Sequence, residues 1–151
     1  MKSDSFVAGF FVFGAKEGMM RTVSLKTVDG QVVCEQCHVA DSPWPRMRGL
    51  LGRRGLESGE GLLLRPTGSV HTFFMRFPID VVFLSREGEV LKVAQALPPW
   101  RTAGARRAKA ALELAADEAE RREIRVGTRL DLSVLAGSGS GPAANHPPAS
   151  A

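Results

Sequence analysis

The strongest constraint on the fold is an apolar segment in the middle of the chain, residues 70–84, with the sequence VHTFFMRFPIDVVFL. Its β-branched and aromatic residues favour strand. Because Pro78 cannot donate a ladder hydrogen bond, we expect it to split the segment or to mark a bulge. If residues 70–77 are extended, three alternating side chains share one face of that strand: His71, Phe73 and Met75.

Short strands flanked by turn residues come before and after this segment. Residues 22–25 and 31–33 flank Asp29-Gly30, a dipeptide typical of tight hairpins, and the second strand can continue to residue 39. The turn sequence Arg86-Glu87-Gly88 predicts a second hairpin, which leads into a strand over 90–94. The remaining predicted elements are strands at 61–64 and 127–135 and a short amphipathic helix at 43–51.

The tight connections favour antiparallel pairing. We therefore predict the α+β class, mostly β: a small curled or partly closed antiparallel sheet with one or two short helices. The composition agrees, since 151 residues with 44% hydrophobic and 24% charged residues are ordinary for one globular domain. No apolar run approaches the ~18 residues of a membrane-spanning helix.

The two ends of the chain differ from its middle. Residues 1–20 contain an apolar stretch that resembles a weak export signal; the alternative is that Met19 or Met20 is the true first residue. Residues 136–151 are rich in Gly, Ser, Pro and Ala, which predicts a flexible tail. We expect residues 1–20 to be disordered and residues 21–135 to form a single mostly-β domain. The expected location is cytoplasmic, with export as the alternative if residues 1–15 act as a signal.

The chain is basic, with a net charge of +4 and a pI of about 9.6. A solvated basic surface and a binding site for an anionic ligand both account for this charge. The aromatic residues are not interleaved with the arginines, which argues against a nucleic-acid partner. The expected partner is therefore an unknown small ligand or a protein.

The most specific motif is Cys34-Glu35-Gln36-Cys37-His38, which matches the C-x-x-C-H attachment motif of c-type haem. It lies in a predicted strand, whereas the haem motif usually opens a helix. A zinc half-site would need further ligands, and a redox dithiol would need a helix N-terminus to acidify its first thiol. We therefore expect no cofactor and interpret the thiols as incidental groups near an edge. Cys34, Cys37 and His38 are the metal-ligand candidates.

Asp80 interrupts an otherwise apolar strand, and a buried carboxylate must be paired or hydrogen-bonded. The sequence offers three arginine partners for it: Arg46, Arg48 and Arg76. A structural clamp and a ligand-binding or catalytic carboxylate both remain open for Asp80, with His71 as the matching candidate base. The arginines of segment 46–54 either hold an anion or are solvated.

Several motifs along the chain together resemble one family. In chain order they are Arg46-x-Arg-Gly-Leu-Leu-Gly-Arg53, Gly59-Glu-Gly-Leu62, Val70-His-Thr-Phe-Phe-Met75, Pro78-Ile-Asp80-Val-Val-Phe83, Pro99-Trp-Arg101 and Leu112-Glu-Leu114. Their order and spacing resemble the domain of unknown function 192 family. The resemblance implies a compact, mostly-β domain found in bacteria and archaea, and no established activity, substrate or cofactor.

The resemblance changes one expectation about secondary structure. Propensity alone predicts a helix over 108–124, a stretch rich in Ala, Glu, Leu and Arg. In the family, the Leu-Glu-Leu motif behaves as a strand end followed by a turn. The resemblance therefore implies a strand over 110–114 and a helix only over 116–123.

The functional hypothesis is a small binding or accessory domain whose polar cleft takes an anionic small ligand. The predicted ligand-binding residues are Arg46, Arg48, His71, Phe73, Met75, Asp80 and Trp100. Arginine would hold the anionic group, and Phe73 and Trp100 would form an apolar wall. Two alternatives stay open: an enzyme with His71 and Asp80 as catalytic acid and base, and a haem or metal protein through Cys34, Cys37 and His38.

Overall fold

A seven-stranded sheet organises the part of the chain that the computed structural model describes, residues 21–41 and 53–136. In chain order the strands are β1 (Arg21–Thr27), β2 (Val32–Ala40), β3 (Glu60–Leu64), β4 (Ser69–His71), β5 (Ile79–Leu84), β6 (Val90–Leu97), β7 (Thr102–Gly104), β8 (Ala110–Ala115) and β9 (Leu130–Asp131). Strands β4 and β7 pair with each other as a separate two-stranded ribbon. The helices of the described residues are α1 (Glu118–Arg121) and a 3-10 helix (Ser133–Leu135).

The strands of the sheet follow the order β6-β5-β8-β3-β2-β1-β9, and the sheet curls into a half-barrel. All neighbouring strands are antiparallel except β2 and β3, which are parallel. The predicted mostly-β, curled sheet is confirmed, whereas the purely antiparallel arrangement is wrong. The chain between Ala40 and Glu60 is long enough for the crossover that parallel neighbours require.

The apolar segment 70–84 forms two separate strands, β4 and β5, as its proline predicts. Between them the chain turns at residues 73–74, where Met75 N donates a hydrogen bond to Thr72 O at 3.2 Å. At Thr72 the backbone forms hydrogen bonds with residues 100–101 of another turn instead of with a neighbouring strand. Residues 70–77 are therefore not extended throughout, so the condition under which His71, Phe73 and Met75 would share one strand face is not met.

The strand that the resemblance implies over 110–114 is confirmed as β8, and the long helix predicted by propensity is wrong. Because β8 pairs with both β3 and β5, sheet pairing overrides helix propensity here. Helix α1 is also shorter than the expected 116–123. Asp117 and Glu123 limit it, since both adopt left-handed backbone, with φ of 71° and 55°.

The predicted strand over 127–135 is only partly formed. After β9, Asp131 Oδ1 accepts a hydrogen bond from Ser133 N at 2.9 Å, and the chain enters the 3-10 helix. Aspartate side chains compete with strand pairing in this way. The predicted hairpins β1–β2 and β5–β6 are confirmed. The helix expected at 43–51 lies outside the described residues.

Side chains alternate between the two faces of the sheet, and each face buries an apolar cluster. The first face includes Val82 of β5 and is covered by Ala119 of α1. The second face includes Val81 of β5 and is covered by Val70 of the ribbon and by Met75. No helix within residues 21–41 and 53–136 is long and apolar enough to cross a membrane.

Candidate functional site

Thr72 joins the turn after β4 to the turn after β6. Its side chain is fully buried, and its Oγ1 donates a hydrogen bond to Pro98 O at 2.6 Å. The same oxygen accepts a hydrogen bond from Arg101 N at 2.9 Å, and Thr72 O accepts one from Trp100 N at 3.0 Å. These bonds hold residues 72–75 and 98–101 side by side at one end of the ribbon.

The two joined turns bring four rings together, which we call the aromatic cluster: His71, Phe73, Phe74 and Trp100. The rings of His71 and Phe73 stack with centroids 4.9 Å apart and an interplanar angle of 24°. Trp100 lies 5.9 Å from Phe73 and 4.7 Å from Phe74 between centroids, tilted by 32° and 60°. The predicted grouping of His71, Phe73 and Trp100 thus corresponds to one contiguous surface, to which the structure adds Phe74.

Phe74 and Trp100 hold unusual backbone conformations and are exposed. Their φ angles are 64° and 63°, in the left-handed region that large side chains rarely adopt. Their exposed fractions are 68% and 55%, so two large apolar rings face solvent. Strained backbone that keeps apolar side chains outside the core is typical of functional surfaces.

Positive charge lies next to the aromatic cluster and at the opposite end of the ribbon, where the chain leaves β7. Residues 61–79 and 90–112 contain no Asp or Glu. Six exposed cations in these two segments form no ion pair with any described residue. One of them, Lys92, donates a hydrogen bond to Gly104 O at 3.0 Å, and the other five are Arg76, Arg101, Arg106, Arg107 and Lys109. We call strands β4 and β7 with these five cations the basic ribbon. It provides guanidinium groups that are not neutralised from within the described chain.

The other predicted ligand-binding residues lie elsewhere. Met75 is buried in the cluster of the second face, beneath the ribbon. Asp80 is fully buried and alternates with Val81, which places its carboxylate on the first face, away from the ribbon. Arg46 and Arg48 lie outside the described residues.

Asp80 is satisfied by backbone amides. Its Oδ1 accepts a hydrogen bond from Ala96 N at 2.8 Å, and its Oδ2 accepts one from Ala119 N at 2.9 Å. The carboxylate therefore ties β6 to α1, as a clamp would, although the expected partner was an arginine. His71 is exposed at the end of β4, whereas Asp80 is buried on the other face. The candidate acid and base therefore do not face one open cavity.

The C-x-x-C-H motif lies within β2. Two residues of β1, Val23 and Leu25, pair with Cys37 and Cys34, so β2 contains a bulge between its cysteines. The bulge directs both thiols into the cluster of the first face, where they are fully buried. His38 alternates with Cys37 and faces the second side, so the three donors of the motif do not converge.

Cys34 and burial raise the pKa of the Cys37 thiol well above its usual range. A neutral thiol inside an apolar cluster is a poor nucleophile and a poor metal ligand. The expected position of these thiols near an edge is wrong, since both pack inside the core.

His38 belongs to a polar group on the second face. Its Nδ1 lies 3.0 Å from Thr22 Oγ1, and its Nε2 lies 3.6 Å from Glu60 Oε1, to which Arg53 Nη2 donates at 2.7 Å. Burial lowers the pKa of His38, although Glu60 opposes this effect. The group fixes the start of β3 against β2.

Glu113 is a buried acid that sequence reasoning did not single out. It lies on the second face of β8, opposite Leu62 and Val81, and is 4% exposed. No described residue forms a hydrogen bond or an ion pair with it, and burial raises its pKa to about 8. The sequence contains a signal for a buried acid at this position, because Glu113 is the only charged residue of the apolar strand β8. Asp80 is likewise the only charged residue of β5.

A separate shallow depression has a volume of about 550 Å³. It is formed by the β1–β2 turn and by the loop that precedes β9, with Thr27, Val28, Asp29, Gln31, Glu123, Arg125, Gly127, Thr128 and Arg129 as its lining. The depression is wide open and contains none of the predicted site residues. We therefore place the candidate site at the aromatic cluster and the basic ribbon.

Fold and site together define a small, mostly-β domain with an exposed aromatic surface set among cations. The chain belongs to the DUF192 family, described as an uncharacterized ACR, whose family model matches residues 24–132. No curated protein matches the chain.

Two crystal structures share the fold. A protein of unknown function from Novosphingobium aromaticivorans DSM 12444 is 20% identical, with a TM-score of 0.65 over 78% of this chain and 89% of that one. A protein from Sinorhizobium meliloti 1021, provisionally assigned as a transcription regulator, is 22% identical, with a TM-score of 0.66 over 78% of this chain and 97% of that one. At these identities the likeness concerns the fold alone.

Proposed function

We propose that the protein is a binding domain that takes an anionic ligand on the aromatic cluster and the basic ribbon. One observation carries the proposal: exposed aromatic rings lie among cations in a region whose sequence contains no acid. The rings would contact an apolar part of the ligand, and Arg76 and Arg101 would bind its anionic group. His71 would supply an adjustable hydrogen-bond donor or acceptor.

Trp100 makes this proposal directly testable. The chain has two tryptophans, Trp44 and Trp100, and no tyrosine. Trp44→Phe therefore leaves one indole, and it is a member of the aromatic cluster. Titration of this variant with heparin, a soluble polyanion, should change the emission of Trp100 and saturate.

A matched pair of variants separates a local site from general attraction. In the Trp44→Phe background, R76A/R101A removes two cations next to the aromatic cluster, and R125A/R129A removes two that line the depression, which contains no residue of the cluster. We expect the first pair to weaken binding about tenfold and the second by less than about twofold. A flat titration, or equal losses in both pairs, would count against the proposal.

A further inference from the structure

The exposed tip of the ribbon consists of two rings on two adjacent turns. Phe74 and Trp100 are more than half exposed, and their centroids are 4.7 Å apart. Thr72 fixes the turns to each other, so the two rings are presented together. Large apolar side chains at the tips of joined turns form a small apolar knob rather than a groove.

Cations flank this knob and continue along the ribbon. Arg76 and Arg101 are exposed next to the two rings in sequence, and the remaining cations follow β7. Aromatic side chains favour the interface between water and lipid, and Lys and Arg are attracted to the anionic lipid headgroups beneath which that interface lies. The combination of an apolar knob with two adjoining arginines and further cations along the ribbon fits such a surface on both counts.

We infer that the basic ribbon docks on an anionic phospholipid surface, with the rings of Phe74 and Trp100 entering the headgroup layer. This inference rests on the proposed function and specifies its anion. The contact is peripheral: only the knob enters the layer, and the sheet stays outside it.

Ring geometry favours a lipid surface over single-stranded nucleic acid. Bases bind by stacking on accessible ring faces within a basic groove. The rings of His71 and Phe73 stack on each other, so one face of each is already covered. Phe74 and Trp100 are inclined at 60°, so a base cannot lie parallel to both rings between them. The rings pack as a knob, which suits insertion between headgroups better than stacking.

The apolar area favours a lipid surface over a large protein interface. From their exposed fractions, Phe74 and Trp100 together offer roughly 250 Å² of apolar surface. A standard protein interface uses about 800 Å² on each partner, of which more than half is apolar. The apolar area of the two rings is smaller than a standard protein interface needs. A peripheral membrane anchor that is also attracted by charge needs less apolar area.

Vesicle binding by the full chain tests the inference. The Trp44→Phe protein is sedimented with vesicles of phosphatidylcholine alone and with vesicles that contain about 30% phosphatidylglycerol. We expect binding only to the anionic vesicles. The emission of Trp100 should shift to the blue and be quenched by brominated lipid, because the indole leaves water.

Phe74→Ser is the informative variant, since it keeps Trp100 as the probe. It should lower the vesicle partition coefficient about tenfold and reduce the blue shift. Val126→Ser is its control, because Val126 is equally exposed, at 68%, but lies in the loop before β9. It should leave partitioning within about twofold of the parent.

The contrary outcomes are distinct. If vesicles bind without a blue shift, or equally well after Phe74→Ser, the knob does not insert and the inference fails. If a single-stranded oligonucleotide quenches Trp100 while anionic vesicles do not bind, the partner is nucleic acid and only the lipid inference fails. If neither vesicles nor heparin bind, the proposed function fails as well.

Discussion

Asp80 and Glu113 occupy comparable positions in neighbouring central strands, yet their environments differ. Each is the only charged residue of a strand that is otherwise apolar. Asp80 accepts hydrogen bonds from two backbone amides, whereas Glu113 has no partner among the described residues. The free energy of each carboxylate therefore depends on what packs against it, which the strand sequence does not encode.

The raised pKa of Glu113 predicts a pH dependence of stability. Burial raises it from 4.5 to about 8, so the folded protein holds a proton between these values that the unfolded chain releases. Stability should therefore fall as the pH rises from 4.5 towards 8 and then level off. A tenfold change in proton affinity corresponds to about 1.4 kcal/mol, so the loss amounts to a few kcal/mol at most.

Glu113→Gln should remove this dependence, because the amide cannot ionise. Urea unfolding at pH 5, 6.5 and 8 would show the variant gaining on the parent protein as the pH rises. The difference between the two proteins matters, because His38, whose pKa is lowered by burial, contributes with the opposite sign at acidic pH. A constant difference at all three values would contradict the assignment.

Asp80→Asn should destabilise the protein at neutral pH. Asparagine offers one acceptor oxygen and turns an N–H group towards the second amide, so either Ala96 N or Ala119 N loses its partner. We expect a loss of about 2–4 kcal/mol in the free energy of unfolding, measured in urea. His71→Ala changes an exposed side chain and should stay within about 0.5 kcal/mol. Similar values for both would contradict the clamp.

At the scale of elements, Thr72 is the link between two turns. Thr72→Val keeps the shape of the side chain but removes the hydroxyl, which leaves Pro98 O and Arg101 N without that partner. We predict a loss of about 1–3 kcal/mol in the free energy of unfolding and a shift of Trp100 emission in the Trp44→Phe background. The shift reports on the joined turns as well as on stability.

Thr72→Ser provides the matched control for this prediction. Serine keeps the hydroxyl and loses only a methyl group, so the position of the turns and the emission of Trp100 should be retained. If valine and serine have the same effect, packing of the methyl group rather than the hydrogen bonds holds the turns together.

Local signals predicted the hairpins well, and long-range pairing limited the rest. Asp29-Gly30 and Arg86-Glu87-Gly88 each carry their own turn chemistry, and both hairpins formed. Helix propensity over 108–124 predicts a helix, because the local composition contains no information on the hydrogen bonds that β8 forms with β3 and β5. The resemblance corrected that error, since a motif carries tertiary context that propensity lacks.

The candidate site was also only partly predictable, because local sequence identifies its residues but not the long-range contacts between them. His71, Phe73 and Trp100 could be selected from an apolar stretch and an irregular one, but their contact depends on Thr72, which looks like an ordinary strand residue. Phe74 was missed because alternation in an extended strand assigns it to the opposite face. The turn at residues 73–74 is set by bonds to residues 98–101, which are distant in the sequence.

At the scale of the whole molecule, the two apolar clusters lie on opposite faces of one set of strands. Both clusters receive side chains from the same four strands, β2, β3, β5 and β8. Unfolding of these strands therefore disrupts both clusters together. The described residues should therefore unfold as a single cooperative unit. Each face also has its own probe: the thiols of Cys34 and Cys37 lie in the first cluster, and Trp100 lies on the turns joined to the ribbon that covers the second.

Unfolding of the Trp44→Phe protein in urea should thus give one midpoint by two measurements. The emission of Trp100 reports the joined turns of the ribbon that covers the second face, and alkylation of Cys34 and Cys37 by iodoacetamide reports the first face. In the native protein both thiols should resist alkylation, since they are fully buried and the pKa of Cys37 is raised. Thiols that react at urea concentrations where Trp100 emission is still native would show that the first face opens separately, and the shared strands would then not couple the two clusters.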